Sequence, residues 1–137
     1  MSICLEHISK HYGPQVVVNN VSLEIHDGEF FVLLGASGSG KTTVLNLIAG
    51  LVQPGRGKVL LNDCDVTQLP PQARNIGFVF QHYALFQSMT VDDNITFGLQ
   101  VRKVPKEQRD EKCDELLELV GLVGMGARRP SQLSGGQ

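Results

Sequence analysis

The chain has 137 residues, of which 42% are hydrophobic and 19% are charged. This composition excludes a disordered chain. With a net charge of −2, the chain does not have the excess of basic residues that is typical of proteins that bind nucleic acid or anionic membranes. The longest apolar run, Phe30–Leu34, is far shorter than the ~20 residues of a membrane-spanning helix. No export signal is visible, and Cys4, Cys64 and Cys113 are widely scattered. We therefore expect a cytosolic globular protein with free thiols.

The first part of the chain is predicted to be rich in strands. Alternating apolar residues predict a strand over Ser2–Ile8 and a second one over Val21–Ile25. Phe30–Leu34 is apolar on both faces, which predicts a strand buried inside a covered, mostly parallel sheet. Lys58–Leu61 is predicted to be a short strand, and Ile76–Phe80 another apolar one.

Helices are predicted between these strands and, above all, after them. Apolar residues at helical spacing predict a helix over Lys41–Leu51. Thr90 is expected to cap a short helix that begins at Val91. The clearest helix is Lys106–Val120, because its apolar residues share one face and Gly121 can end it.

One glycine-rich stretch carries the main chemical signal. It matches the phosphate-loop pattern G-x-x-x-x-G-K-[ST] with Gly35, Ala36, Ser37, Gly38, Ser39, Gly40, Lys41 and Thr42. Glycines let successive amide groups converge on phosphate oxygens, and the positive end of the following helix points at the same place. Lys41 can reach the β- and γ-phosphates, and the Thr42 hydroxyl can hold Mg²⁺. A chance match would occur in about one such chain in a hundred, and this one joins a predicted strand to an amphipathic helix.

Three ordered motifs resemble those of ATP-binding cassette proteins. Leu133–Gln137 reads LSGGQ, which is the signature pentapeptide of that family. Gln81 resembles the family's glutamine loop, and Tyr12 resembles the aromatic residue that stacks on adenine. Ala36 departs from the proline that many relatives carry, a change that we expect to be tolerated. The resemblance is closest to ATP-binding subunits of bacterial sulfate or thiosulfate importers, with spermidine/putrescine, iron and maltose importers nearby.

The resemblance implies an α/β phosphate-loop NTPase cassette with a mostly parallel core sheet, an antiparallel β part and the start of a helical subdomain. Residues 1–137 would form a partial nucleotide-binding domain, with a nucleotide-binding core at 1–85 and the helical subdomain at 86–137. The Walker B Asp, the catalytic Glu and the switch His of the family would lie beyond Gln137, so no catalytic residue is expected here. We therefore expect an amino-terminal fragment that at most binds nucleotide.

The resemblance also implies a role for individual residues. Tyr12 would stack on adenine beside Val17, and Thr42 and Gln81 would coordinate Mg²⁺. The residues expected at ATP and Mg²⁺ are Tyr12, Val17, Gly35, Ala36, Ser37, Gly38, Ser39, Gly40, Lys41, Thr42, Thr43 and Gln81. Two cassettes of the family pair head to tail, so the residues expected at the opposite subunit's ATP are Leu133, Ser134, Gly135, Gly136 and Gln137.

The function implied for the full-length parent is that of an importer's ATP-binding subunit, a transport-coupled ATPase. Its implied partners are a second nucleotide-binding domain in a homodimer or pseudo-dimer, membrane permease subunits and, indirectly, a solute-binding protein, with no nucleic acid. Its implied location is the cytoplasm, peripheral on the inner face of the cell membrane. Leu85, Phe86 and Met89 either form an apolar seat for a permease helix or belong to the core, and the sequence favours neither.

Other functions are disfavoured by particular residues. A GTPase or small-molecule kinase lacks support because no Asn-Lys-x-Asp motif occurs and Leu133–Gln137 would be unexplained. Cassette proteins of DNA repair or translation share these motifs, but Ile76–Phe86 resembles importers more. The non-enzymatic alternative is a truncated module that pairs with intact subunits or is inert.

Overall fold

A computed structural model describes residues 1–82 and 84–137 of the chain. These residues form two compact units, Met1–Phe78 and Val79–Gln137. The first unit contains a four-stranded sheet and one α-helix, and the second contains two α-helices. Each unit has its own cluster of buried apolar side chains. Across the described residues, no helix has the length and apolar character needed to cross a membrane.

The sheet of the first unit is antiparallel throughout. In the spatial order β2-β1-β3-β4, its strands are β1 (Ile3–Tyr12), β2 (Gln15–Ile25), β3 (Arg56–Leu61) and β4 (Cys64–Asp65). The two first strands form a tight hairpin across Gly13, where φ is 57°. The predicted strands at Ser2–Ile8, Val21–Ile25 and Lys58–Leu61 are therefore confirmed as strands, and each is longer than predicted. The first continues to Tyr12, the second begins at Gln15 and the third begins at Arg56.

One helix packs against this sheet. The helix α1 (Lys41–Ala49) buries Val44, Leu47 and Ile48 against apolar side chains of the strands. Full burial of such a side chain stabilises the fold by about 1.5–3 kcal/mol. The helix ends earlier than predicted, because Gly50 adopts φ 77° and its amide group bonds to the last turn.

Two predicted strands are not formed. Neither Phe30–Leu34 nor Ile76–Phe80 is in a strand, and Phe30 is 92% exposed. The mostly parallel sheet that these segments were predicted to begin is thus absent from the described part of the chain. The physical reason is that a strand covered on both faces needs neighbouring strands to satisfy its backbone, and every ladder described here is antiparallel and lies elsewhere.

The second unit contains two helices, α2 (Val91–Val101) and α3 (Lys106–Leu119). Thr90 caps α2 as predicted, because its hydroxyl accepts from the Asp93 amide group while the Asp93 carboxylate accepts from Thr90. Val91, Cys113 and Leu117 form the buried cluster between the helices.

The third helix ends at Leu119, one residue before its predicted end. Gly121 has φ 69° and follows directly on the capping residue Val120. Cys113 is buried, but Val120 is exposed, so the apolar face is shorter than its pattern indicated. All three cysteines are free thiols, and burial together with the Asp92 carboxylate raises the pKa of Cys113 to about 11.

Candidate nucleotide-binding site

The glycine-rich loop leads directly into the first turn of α1. Gly40 precedes the helix with φ 90°, and no side chain caps this helix end in the described structure. The first amide groups of a helix have no partner inside it, and together with the helix dipole they attract anions. This end of α1 therefore presents amide groups and a positive dipole end, a combination that favours an anion such as phosphate.

Lys41 folds back over the same loop. Its ammonium group donates to the carbonyl oxygens of Gly35 at 2.8 Å and Ala36 at 2.7 Å. It also lies 3.3 Å from the Ser39 hydroxyl oxygen. These three contacts hold a positive charge against the loop backbone, where a phosphate oxygen would form a stronger, charge-assisted hydrogen bond with it.

Strand β2 approaches the loop closely at Gly40. A Cβ atom placed on Gly40 would lie 2.7 Å from the Val17 carbonyl oxygen, and its φ of 90° disfavours any side chain. Gly40 is therefore required both by its conformation and by the contact with β2. Because of this contact, the Val17 side chain lies next to the phosphate loop.

A cavity of about 280 Å³ lies at this junction. Its lining residues are Tyr12, Val17, Gly38, Ser39, Gly40, Lys41, Thr42 and Thr43. The two residues predicted to flank adenine thus lie beside six of the residues predicted to wrap the triphosphate. Tyr12 ends β1 and is 49% exposed, so its ring remains accessible for stacking. The other three loop residues, Gly35, Ala36 and Ser37, are exposed and precede this cavity in sequence.

The residues at the cavity fit the magnesium ion that the family resemblance implies. Thr42 supplies a hydroxyl oxygen to the lining, and Mg²⁺ prefers oxygen ligands while keeping several of its waters. Among residues 1–82 and 84–137, no group of three or more His, Cys, Asp or Glu side chains is placed to hold a metal. The donor set therefore suits an ion held mainly by phosphate and water rather than by a protein cage.

The remaining residues that were predicted to contact nucleotide belong to the second unit. Gln81 is exposed, and Tyr83, two residues further along the chain, lies outside the described residues. Leu133 packs against the buried cluster of the second unit, whereas Ser134–Gln137 is exposed and forms a turn. In this turn the Ser134 amide group donates to the Gln137 side chain at 2.9 Å, and the Gln137 amide group donates to the Ser134 carbonyl at 3.0 Å.

Leu85, Phe86 and Met89, for which the sequence left a partner surface and a core role equally open, are not part of the core. Leu85 and Phe86 are exposed and Met89 is half-buried. The Phe86 ring packs against Phe97 of α2 at 4.5 Å between centroids, and Asn94 bonds both backbone groups of Phe86. The segment is thus fixed to α2 while much of its apolar surface remains accessible.

One buried residue, which the sequence did not predict, holds the far end of α1. Arg74 is only 4% exposed, and burial lowers the pKa of its guanidinium. It donates at 2.8–3.0 Å to four carbonyl groups, those of Leu47, Ile48, Thr67 and Leu69. A cation at a helix C-terminus is favourable, so Arg74 fixes the helix that begins at the phosphate loop. No spacing pattern marks it, because its partners are backbone atoms up to 27 residues away.

The loop and the open helix end are features of the phosphate-loop NTPase fold. The model of the ABC transporter family matches residues 18–137. The chain belongs to the ABC transporter family.

Individual relatives are similar over the whole chain. The sulfate/thiosulfate import ATP-binding protein CysA of Thermosynechococcus vestitus is 56% identical over 137 residues, which are 100% of this chain and 41% of that protein. The corresponding protein of Gloeobacter violaceus is 54% identical over 137 residues, 100% of this chain and 40% of its own length. The chain thus spans about two fifths of the length of these relatives.

A solved structure is similar in fold. It is a dimeric structure of an ATP-binding cassette in a post-hydrolysis state, bound to ADP and Pi. It is 32% identical, with a TM-score of 0.85, over 98% of this chain and 64% of that one. The predicted resemblance and the predicted cassette fold are therefore confirmed, although the described sheet contains only antiparallel pairs.

Proposed function

We propose that this chain forms part of the ATP-binding subunit of an importer and binds ATP at the phosphate loop. The observation that carries the proposal is the cavity that places Tyr12 and Val17 beside the residues Gly38–Thr43. A triphosphate would accept from the open amide groups of α1 and from the Lys41 ammonium group, while the adenine stacks on Tyr12. Gly35, Ala36 and Ser37 would complete the loop around the phosphates.

Thr42 and Gln81 are the residues that would hold Mg²⁺. The ion would neutralise charge on the phosphate oxygens when it is bound with the nucleotide. The support in this chain is the Thr42 hydroxyl at the cavity, together with the oxygen-bearing side chain of Gln81, which is exposed.

The signature residues would act on a second nucleotide-binding domain. Leu133, Ser134, Gly135, Gly136 and Gln137 would cap the ATP that is bound by the opposite subunit of a dimer. Two observations support this: the solved relative is dimeric with ADP and Pi, and Ser134–Gln137 is exposed and accessible to a partner.

The whole protein would couple ATP hydrolysis to import through membrane permease subunits, at the inner face of the cell membrane. Relatives at 50–56% identity are named as sulfate/thiosulfate import proteins, which supports sulfate or thiosulfate as the solute. The accessible apolar surface of Leu85 and Phe86 supports the seat for a permease helix rather than a core role.

Uptake of labelled sulfate by cells that carry the whole protein tests the proposal. Replacing Lys41 with Ala removes the charge that bonds phosphate, so uptake should fall to the background of cells without the protein. Lys58→Ala is the matched control, because Lys58 is an exposed lysine of β3 outside the cavity. Unchanged sulfate uptake in the Lys41 variant would contradict the proposed role, and uptake of another solute alone would contradict the proposed substrate.

A further inference from the structure

We propose that Lys10 is a positioning residue that fixes the Tyr12 ring as a platform for the adenine base. The inference rests on the proposed function, because it assigns a further residue to the same nucleotide site. Lys10 has no place in the phosphate-loop pattern, and it belongs to β1 rather than to the loop.

The Lys10 ammonium group has two partners. It lies over the Tyr12 ring at 5.3 Å from the centroid and donates to the Gln53 carbonyl oxygen at 2.8 Å. A cation within about 6 Å of an aromatic centroid is attracted to the negative face of the ring. The bond to Gln53 thus holds the ammonium group in place, and the ammonium group in turn holds the orientation of the Tyr12 ring.

The partner carbonyl is itself held to the same strand. Gln53 lies in the segment between α1 and β3, and the nearby Gly55 amide group donates to the Ser9 carbonyl of β1 at 2.8 Å. The segment that follows the phosphate-loop helix is therefore bonded to β1 at two neighbouring points. Through these bonds, Lys10 connects the Tyr12 ring to the segment that follows α1.

The arrangement determines which ring face can receive a base. An aromatic ring has two faces, and the ammonium group occupies one of them. Tyr12 and Val17 line the cavity beside the phosphate loop, whereas Lys10 is not among its described lining residues. The free face of Tyr12 is therefore the one available for adenine, which would stack on a ring whose other face carries a cation.

The size of the effect follows from the exposure of the pair. Tyr12 is half exposed, and exposed cation–π contacts are weak, so losing the contact should weaken ATP binding by roughly two- to five-fold. The loss should be confined to ligands that contain a base. Inorganic triphosphate has none, so its affinity should not change.

Titration of the chain by calorimetry with Mg-ATP and with Mg-triphosphate tests this. The wild type, Lys10→Met, Lys10→Arg and the control Lys58→Met are compared. Lys10→Met keeps the aliphatic stem but loses the charge, and we expect weaker ATP binding with unchanged triphosphate binding. Lys10→Arg keeps both the cation and a donor, so it should bind ATP like the wild type. Lys58→Met makes the same change in net charge and should bind both ligands normally.

A double-mutant cycle with Tyr12→Ala separates positioning from a direct role. Once the ring is removed, Lys10→Met should cause no further loss of ATP affinity. A further loss in that background, or an equal loss of triphosphate affinity, would overturn the inference because Lys10 would then act on the phosphates or on folding. Unchanged ATP affinity in Lys10→Met would overturn it as well, while wild-type binding of ATP would leave the proposed function standing. A wild-type chain that binds neither ligand would overturn both.

Discussion

The first unit contains two apolar segments that differ in burial. Leu5 of β1 is 1% exposed, whereas Leu34, in the apolar run before the phosphate loop, is 89% exposed. The difference lies in the partners that each segment needs. β1 pairs with β2 across a tight turn and with β3 on its other side, whereas Phe30–Leu34 pairs with no strand in the described part of the chain. Burial therefore follows from available neighbours and not from composition alone.

The same substitution at these two leucines should have very different effects on stability. Leu5→Ala leaves a cavity in the packed core and should lower the free energy of unfolding by about 2–5 kcal/mol. Leu34→Ala removes a side chain that is already in water, so its effect should stay within about 0.5 kcal/mol. Urea denaturation of both variants measures the difference, and equal losses would contradict it.

Arg74 shows how much non-local partners contribute to stability when they are present. Arg74→Met keeps the bulk but removes donors to four carbonyl groups, and should lower the free energy of unfolding by about 2–4 kcal/mol. Arg56→Met is the control, since Arg56 is exposed on β3. A loss no larger than that of the control, in the same urea titration, would show that the carbonyl groups need no guanidinium.

Thr90 tests a purely local interaction in the second unit. Thr90→Ala removes the hydroxyl that accepts from the Asp93 amide group, so the free energy of unfolding should fall by about 1 kcal/mol. Thr90→Ser keeps this hydroxyl and should retain most of the stability. Helix content followed by circular dichroism during thermal unfolding measures both, and a Ser variant as unstable as the Ala variant would exclude the cap as the cause.

The smallest effect near neutral pH is expected from the titration of Cys113, which changes stability only at alkaline pH. Burial favours the neutral thiol and raises its pKa from about 9 to about 11, so the unfolded chain loses this proton at a lower pH than the folded chain. The stability from this group is present below pH 9 and is lost as pH rises towards 11. Cys113→Ala should flatten this part of the stability profile, and an unaltered slope would contradict it.

Iodoacetamide at pH 8 should modify the exposed Cys64 well before Cys113.

Local patterns were sufficient wherever the partners are near in sequence. The strands at Ser2–Ile8 and Val21–Ile25, the Thr90 cap and the glycine after α3 were all predicted, because a few neighbouring residues determine each of them. Phe30–Leu34 was predicted wrongly because its pattern describes a covered strand without specifying what covers it. Arg74 and Lys10 were missed since their partners are backbone oxygens 43 residues away for Lys10 and up to 27 away for Arg74, and no pattern encodes such distances.

Nucleotide binding at the glycine-rich loop is measured by calorimetric titration of the wild type and Lys41→Met with Mg-ATP. We expect saturable one-to-one binding by the wild type and, because a charge-assisted bond to phosphate is lost, roughly ten- to a hundred-fold weaker binding by the variant. Circular dichroism would confirm that both chains are equally folded. Absence of binding by the wild type, or equal affinity of the two chains, would contradict the assignment of Gly35–Thr43 as the triphosphate site.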